Sequence, residues 1–220
     1  MENLVVVCAD VGSIQRKNFG WWAAVGESGK DLSSLAEFVA CELNGGRKVA
    51  LGFECPLFVL VPDDEAALTR ARPGEGNRPW CAGAGGGALA TGLVQLPWAL
   101  RAIREQLDHP VPTFLAWEPF TQAQHAALLL WEAFVSGSGK PEDCDDELDV
   151  HVADARAGVE AFLGALPDPV RANAIPVADH VYSLAGAALL RTGWASDTEL
   201  LRQPCLVLKT LPRPFILPCP

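Results

Sequence analysis

The 220-residue sequence predicts an α/β protein in which helices flank a mixed β-sheet. Three observations lead to this fold class. First, apolar runs typical of buried strands recur along the chain. Second, a short turn joins the first two runs, which predicts a hairpin. Third, segments with helical periodicity separate several of the later runs. A sheet that combines a hairpin with helical crossovers contains both antiparallel and parallel neighbours.

The N-terminal quarter of the chain supplies three of the strands and one helix. The strands are predicted at residues 3–10, 19–27 and 48–56. The helix is predicted at about residues 34–43, because its apolar side chains fall on one helical face and because Asp31 or Ser33 can cap its N-terminus. The first two strands are then the two arms of the hairpin.

Residues 57–110 are predicted to be an insertion between core elements. Residues 62–72 begin like a helix, since a proline and acidic residues stand in the first turn. Residues 72–92 are rich in glycine and lack periodicity, which predicts a long surface loop. Residues 93–107 predict a helix, with Pro97 as its start or as a kink.

The second half of the chain completes a single domain over residues 1–220. Strands are predicted at residues 112–120, 126–137 and 205–210, and helices at residues 147–166 and 177–194. An acidic segment at residues 138–150 is read as a second, smaller insertion. No internal repeat is present in the sequence.

Composition restricts the class of protein. The net charge is −10, and residues 139–149 contribute −5 of it. This balance argues against a nucleic-acid coat protein, which needs basic patches, but it leaves a nucleic-acid partner open. Seven cysteines without any C-x-x-C spacing do not predict a zinc site and favour buried thiols in a reducing compartment.

Localisation and assembly follow from the same composition. No apolar run approaches the roughly 18 to 20 residues needed to cross a bilayer, so no membrane partner is expected. The N-terminus has Glu2 and no basic region before an apolar stretch, which predicts a cytoplasmic protein without a signal peptide. The mean hydropathy of +0.17 and the seven tryptophans make a homodimer a further expectation.

Acidic residues stand at the ends of the predicted elements. Asp10 ends the first strand, Glu54 ends the third, Glu132 lies near the end of the strand at residues 126–137, and Asp179 opens the late helix. If the strands of Asp10 and Glu54 are neighbours, both carboxylates lie at one edge of the sheet. Clustered carboxylates repel one another unless cations bind between them, and oxygen ligands of this kind suit Mg²⁺ or Mn²⁺.

Each of these acids also has a structural explanation. Asp10 suits a turn, Asp179 suits a helix cap, and Glu132 suits a strand edge. Glu54 is harder to explain in this way, because the strand around it is otherwise apolar and a lone buried carboxylate is costly.

Four segments in succession resemble elements of the ribonuclease H-like fold, in particular those of the uncharacterised predicted nucleases related to Holliday-junction resolvases. They are VCADVGSIQRKNFGWWAAV (the first hairpin), VALGFECPL and LLLWEAFVSG (two strands that carry an acid) and VADHVYSLAGAALL (the closing helix). The resemblance implies a mixed sheet with flanking helices, interrupted here by the Gly-rich insertion, and a divalent-metal-dependent nuclease that hydrolyses phosphodiester bonds with Mg²⁺ or Mn²⁺.

The resemblance also implies roles for individual residues. The catalytic residues would be Asp10, Glu54 and Asp179, and the metal ligands would be Asp10, Glu54, Asp179 and Glu132. Lys17, Arg72 and Arg78 are candidates for contacts with substrate phosphates. Tyr182 stands where relatives often carry a second helix acid, which favours the alternative of a non-catalytic binding or assembly protein that keeps the fold.

Overall fold

The computed structural model describes residues 3–76, 79–135 and 149–210. The strands are β1 (Leu4–Asp10), β2 (Gly20–Ala23), β3 (Ser28–Gly29), β4 (Lys48–Phe53), β5 (Phe58–Leu60), β6 (Thr113–Phe114), β7 (Ala127–Phe134), β8 (Val181–Ser183) and β9 (Leu206–Lys209). The α-helices are α1 (Leu32–Asn44), α2 (Gly83–Glu105), α3 (Trp117–Gln122), α4 (Val150–Ala165) and α5 (Leu184–Arg191). Two 3₁₀ turns span Glu65–Ala67 and Thr198–Arg202.

The central sheet has seven strands in the order β3-β2-β1-β4-β7-β6, and β9 also pairs with β7. The β1–β2 and β2–β3 pairs are antiparallel, while β4 runs parallel to both β1 and β7. Strands β6 and β9 both pair in parallel with β7, β6 near its start and β9 near its end. This arrangement confirms the predicted mixed α/β sheet.

The central strands are apolar throughout because both faces of the sheet are covered. One face packs against α1, α2 and α5, with Val5, Val7 and Leu51 pointing into that layer of the core. The other face packs against α3 and α4, with Cys8 and Trp131 pointing into it. A strand that is buried on both faces has a continuous apolar sequence, which is the pattern seen in β1, β4 and β7.

The Gly-rich segment is not the loop that its composition predicts. Helix α2 begins at Gly83 and includes the second half of the segment at residues 72–92. A Cβ at Gly85 would lie 2.5 Å from the backbone oxygen of Pro79, and one at Gly92 would lie 2.4 Å from the Sγ atom of Cys55. The glycines therefore allow close packing of a helix, and tertiary contacts override their low helix propensity.

Three other predicted elements are also wrong in part. Residues 62–72 form only the 3₁₀ turn at Glu65–Ala67, and residues 112–120 contain the short strand β6 followed by α3. The predicted helix at residues 177–194 is divided, because residues 181–183 pair with β5 as strand β8. Helix α5 therefore begins at Leu184, where the Ser183 side chain accepts a hydrogen bond from the backbone N–H of Gly186.

No helix among the described residues combines the length and the apolar character that crossing a membrane requires.

Candidate metal centre

Two carboxylates meet where β1 and β4 end. Asp10 is the last residue of β1, and Glu54 follows the last residue of β4. The two strands are parallel neighbours, and the backbone N–H of Glu54 donates to the carbonyl of Ala9 at 2.8 Å. The carboxyl ends of the two strands therefore lie side by side, as the sequence predicted.

Helix α4 brings a third carboxylate, Asp154, to the same edge. The helix lies against β1 and β2, and glycines make this close approach possible. A Cβ at Gly20 would lie 2.5 Å from the backbone nitrogen of Val152, and a Cβ at Gly158 would lie 2.8 Å from the Sγ atom of Cys8. The position of α4 is thus fixed by glycines on both of the packed surfaces.

The three acids form a compact group. One carboxylate oxygen from each of Asp10, Glu54 and Asp154 lies within 4.8 Å of the other two. Asp10 and Asp154 are 8% and 3% exposed, and Glu54 is half-buried. Divalent cations such as Mg²⁺ and Mn²⁺ prefer oxygen ligands, and Mg²⁺ is commonly held by one or two carboxylates together with substrate phosphates. The donor atoms and their spacing therefore fit a divalent cation.

A histidine completes the group from the first turn of α4. The Nδ1 atom of His151 lies 2.6 Å from Oδ2 of Asp10, and the His151 side chain is 25% exposed. Asp149 caps this turn by accepting a hydrogen bond from the backbone N–H of His151, and Lys30 pairs with Asp149 at 2.5 Å. His151 and Asp154 are three positions apart, so both side chains lie on the same face of the helix.

The electrostatics of the group favour a cation. Burial raises the pKa of Asp10, and the nearby charge of Asp154 raises it further. Hydrogen bonds that Asp10 shares with His151 and Glu54 oppose this rise without cancelling it. A bound divalent cation would offset both the burial of the carboxylates and their mutual repulsion.

Glu132 is close to this edge but belongs to a different network. It pairs with Phe53 in the β4–β7 register, and its carboxylate accepts hydrogen bonds from the backbone N–H of Leu57 at 2.9 Å and from the guanidinium of Arg72 at 2.9 and 2.5 Å. Burial raises the pKa of Glu132, although Arg72 opposes the shift. Both carboxylate oxygens are engaged within the protein, so the predicted role of Glu132 as a metal ligand is not supported by its contacts.

Arg72 is not available for the substrate contact that the sequence predicted. It is only 2% exposed, and besides Glu132 it contacts Glu75 at 2.7 Å and the carbonyl of Phe58 at 2.9 Å. Burial alone would lower the pKa of Arg72, but the charges of Glu132 and Glu75 raise it by more. Arg72 therefore anchors the segment before α2 to the end of β7.

Asp179 lies outside the group of acids that the described residues form. It precedes strand β8 and is exposed, and it does not stand in a helix. The predicted role of Asp179 as a metal ligand is not supported by this placement, because pairing of β8 with β5 delays the helix start to residue 184.

Lys17 and Arg78 are the other two residues predicted to contact substrate phosphates. Lys17 is exposed and lies in the turn that follows β1, where its φ of 59° is left-handed. Arg78 lies outside the described residues.

Asp154 and His151 are the site residues that the sequence reasoning missed. The helix containing them was predicted, but only as an ordinary amphipathic helix. The available signal was a carboxylate on its apolar face, because Asp154 is flanked by the buried residues Val152, Ala155 and Val159. Such a residue needs a partner, just as Glu54 does.

A small pocket of about 80 Å³ adjoins the acid group on the side of Glu54. Trp80, Gly85 and Ala88 form one wall of the pocket, and the end of β7 forms another. The backbone N–H of Trp80 donates to Glu75 at 3.2 Å, so the network around Arg72 also fixes this wall.

Comparison of the chain with family models, with curated proteins and with solved structures finds no match. The mixed sheet, its flanking helices and its three clustered acids fit a ribonuclease H-like fold in general.

Proposed function

We propose that the protein is a divalent-metal-dependent nuclease of the ribonuclease H-like superfamily, related to the predicted nucleases that resemble Holliday-junction resolvases. The observation that carries the proposal is the group formed by Asp10, Glu54 and Asp154, whose oxygens lie within 4.8 Å of one another. Three acids from separate elements, two of them buried, are costly to keep together without a cation.

Each residue of the group has a distinct part in the proposed reaction. Asp10, Glu54 and Asp154 would hold the cation. When bound, Mg²⁺ or Mn²⁺ polarises the phosphodiester and favours deprotonation of the attacking water. His151 holds the Asp10 carboxylate in place through its Nδ1 atom.

The contacts to substrate are fewer than the sequence suggested. Arg16 and Lys17 are exposed in the turn after β1, six and seven residues after Asp10, and are the cations that the proposal assigns to substrate phosphates. Arg72 is excluded from this role by its burial. We therefore expect weak, salt-sensitive binding of nucleic acid.

A cleavage assay tests the proposal. Labelled single-stranded, duplex and branched oligonucleotides are incubated with the protein in Mn²⁺, in Mg²⁺ and in EDTA. We expect cleavage of at least one substrate only with a metal, and a loss of at least about a hundredfold in Asp154→Asn, because metal ions contribute several kcal/mol to such reactions. The exposed Asp63→Asn is the matched control and should cleave like the wild type.

The alternative is a non-catalytic binding or assembly protein of the same fold. The burial of Arg72 favours it, because this burial removes one expected phosphate contact from a chain with a net charge of −10. Binding of Mn²⁺ without cleavage of any of the three substrates would support this alternative and contradict the nuclease proposal.

A further inference from the structure

A groove runs along the outer surface of α2 and α5. Two adjoining hollows of about 190 and 570 Å³ form it, and Leu93, Pro97 and Arg191 line both of them. The smaller hollow begins at Pro56, which also lines the pocket beside Glu54. The α2–α5 groove therefore leads from beside the acid group toward the C-terminus of α2.

The larger hollow of the groove is basic. Its lining includes three exposed arginines and one exposed glutamate, which are Arg101, Arg104, Arg191 and Glu105. These four side chains give the hollow a net charge of +2 on a chain whose net charge is −10. An anionic partner is therefore complementary to this part of the surface.

Two of the three arginines have no acidic partner in the part of the chain that the structure describes. Arg104 and Arg191 form no ion pair there. Each stands in the last turn of its helix, where the helix dipole favours a cation. Arg101 pairs with Glu105 at 3.9 Å, but both side chains are more than half exposed, so the pair is weak. The arginines are thus available to an external anion.

Two aromatic rings are exposed along the same groove. Trp98 is 38% exposed and Tyr182 is 46% exposed. Trp98 lies three positions before Arg101, so the two side chains are neighbours on the surface of α2. Tyr182 lines the smaller hollow together with Arg191. An exposed ring beside a guanidinium group suits a nucleobase and the phosphate that adjoins it.

We propose that the α2–α5 groove binds a single strand of nucleic acid, with bases stacked on the two rings and phosphates paired with the arginines. The ligand must be anionic along its backbone and must offer flat apolar groups to the rings. A duplex hides the faces of its bases in the stack, and an acidic peptide has no flat groups of this kind. A single strand satisfies both requirements.

The inference adds a substrate class to the proposed nuclease function, and only the link between the groove and cleavage rests on that function. The part of α2 from Leu93 to Arg104 is about 17 Å long at about 1.5 Å per residue. That length accommodates about five nucleotides at about 3.4 Å each. Because Pro56 connects the groove to the pocket beside Glu54, a strand held in the groove would continue toward the acid group.

Fluorescence anisotropy of the full chain in EDTA tests binding without cleavage. The probes are labelled oligothymidine and oligouridine of about 15 nucleotides, a duplex of the same length and a labelled oligoglutamate peptide. We expect at least one of the two single strands to bind more tightly than the duplex and the peptide. The comparison of oligothymidine with oligouridine shows whether the groove prefers DNA or RNA.

Substitutions of the rings test the stacking. Trp98→Ala and Tyr182→Ala should each weaken binding of the preferred single strand by at least about fivefold, which is the usual loss when a stacking ring is removed. Trp98→Phe keeps a ring and should bind like the wild type. Both side chains are exposed, so the circular dichroism spectrum of each variant should not change.

The dependence of affinity on salt tests the phosphate contacts. Between about 50 and 200 mM salt, Arg191→Ala should reduce the slope of log affinity against log salt concentration by about 0.7, the value for one lost contact to a single strand. Arg171→Ala is the matched control. Arg171 is an exposed arginine in the connection between α4 and β8 and lines neither hollow, so its loss should leave the slope unchanged.

Several results would overturn the proposal. They are no binding of either single strand, equal binding of the duplex, and tighter binding of the oligoglutamate peptide, which would indicate an acidic protein partner instead. An unchanged affinity in Trp98→Ala or an unchanged slope in Arg191→Ala would overturn it as well, because the strand would then lie elsewhere.

Cleavage separates this proposal from the proposed nuclease function. Binding of a single strand in EDTA that depends on Trp98 and Arg191, without cleavage in Mn²⁺, would support the groove and contradict the nuclease. Cleavage of a single strand below saturation that is equally fast in the wild type, Trp98→Ala and Arg191→Ala would overturn the groove and leave the nuclease in place.

Discussion

The Nδ1 atom of His151 lies 2.6 Å from Oδ2 of Asp10, which ties the first turn of α4 to the end of β1. This contact connects two of the three elements that carry the acid group. The sequence gives no sign of this contact, because the two residues are 141 positions apart in the chain.

Replacing His151 by alanine should weaken Mn²⁺ binding by about 10- to 100-fold, which is the usual effect of losing a residue that orients a metal ligand. Isothermal titration calorimetry measures this change. His125→Ala, which removes an exposed histidine outside the group, is the control and should bind like the wild type. Unchanged affinity in His151→Ala would show that the contact does not orient Asp10 for binding.

The stability of the metal-free protein should depend on Asp10 and pH. Burial raises the pKa of Asp10, with Asp154 adding to the shift. A carboxyl group with a raised pKa contributes fully to the free energy of unfolding below its pKa in the unfolded chain, about 3.9. This contribution is lost as the pH rises through the pKa of the group in the folded protein. Asp10→Asn should therefore stabilise the protein in EDTA, by about 1 kcal/mol and about 2–4 °C in Tm at pH 8, and by less at pH 5.

Thermal unfolding in EDTA at the two pH values measures this effect. The exposed Asp63→Asn should show no comparable gain at either pH. An Asp10→Asn protein that is less stable than the wild type at pH 8 would contradict the assigned cost of the buried carboxylate.

Gly20 should be required for the position of α4. A Cβ at residue 20 would lie 2.5 Å and 2.6 Å from backbone atoms of Val152 and His151, which cannot move without moving the helix. Gly20→Ala should cost about 1–3 kcal/mol and weaken Mn²⁺ binding. Gly164→Ala, on the open side of the same helix, should be neutral or slightly stabilising. Equal stability of the two variants would contradict the proposed packing.

These residues show how much of the fold the sequence could predict. The strands β1, β4 and β7 were predicted because burial on both faces leaves a continuous apolar run, and α4 was predicted because burial on one face leaves a helical period. The same reasoning failed at residues 83–92, since glycine has a low helix propensity in isolation and its use in close packing appears only when the neighbouring Pro79 and Cys55 are in place.

The site was predictable at the strand ends but not on the helix. Asp10 and Glu54 were found because parallel strands bring their carboxyl ends together. Asp154 was missed because its place depends on the packing of α4 against β1 and β2. Asp179 was chosen instead because the sequence before it looked like a helix start, whereas strand pairing with β5 decides the structure there.

The buried ion network of Arg72 should be highly sensitive to the loss of its cation. Its side chain and those of Glu75 and Glu132 are at most 1% exposed. Arg72→Met should cost about 3–5 kcal/mol, because it leaves two buried carboxylates without their cation. Urea unfolding measures this loss.

The control for Arg72 is Arg202→Ala, which removes an exposed pair with Glu199 and should change stability by no more than about 1 kcal/mol. Similar effects of the two substitutions would contradict the structural role of the buried network.

The most direct test of the account is a calorimetric titration of Mn²⁺ into the wild type, Asp154→Asn and Asp179→Asn. We predict that the wild type and Asp179→Asn bind Mn²⁺ alike and that Asp154→Asn loses binding. Loss of binding in Asp179→Asn with retention in Asp154→Asn, or no binding by the wild type up to millimolar Mn²⁺, would contradict the assignment of Asp10, Glu54 and Asp154 as the metal centre.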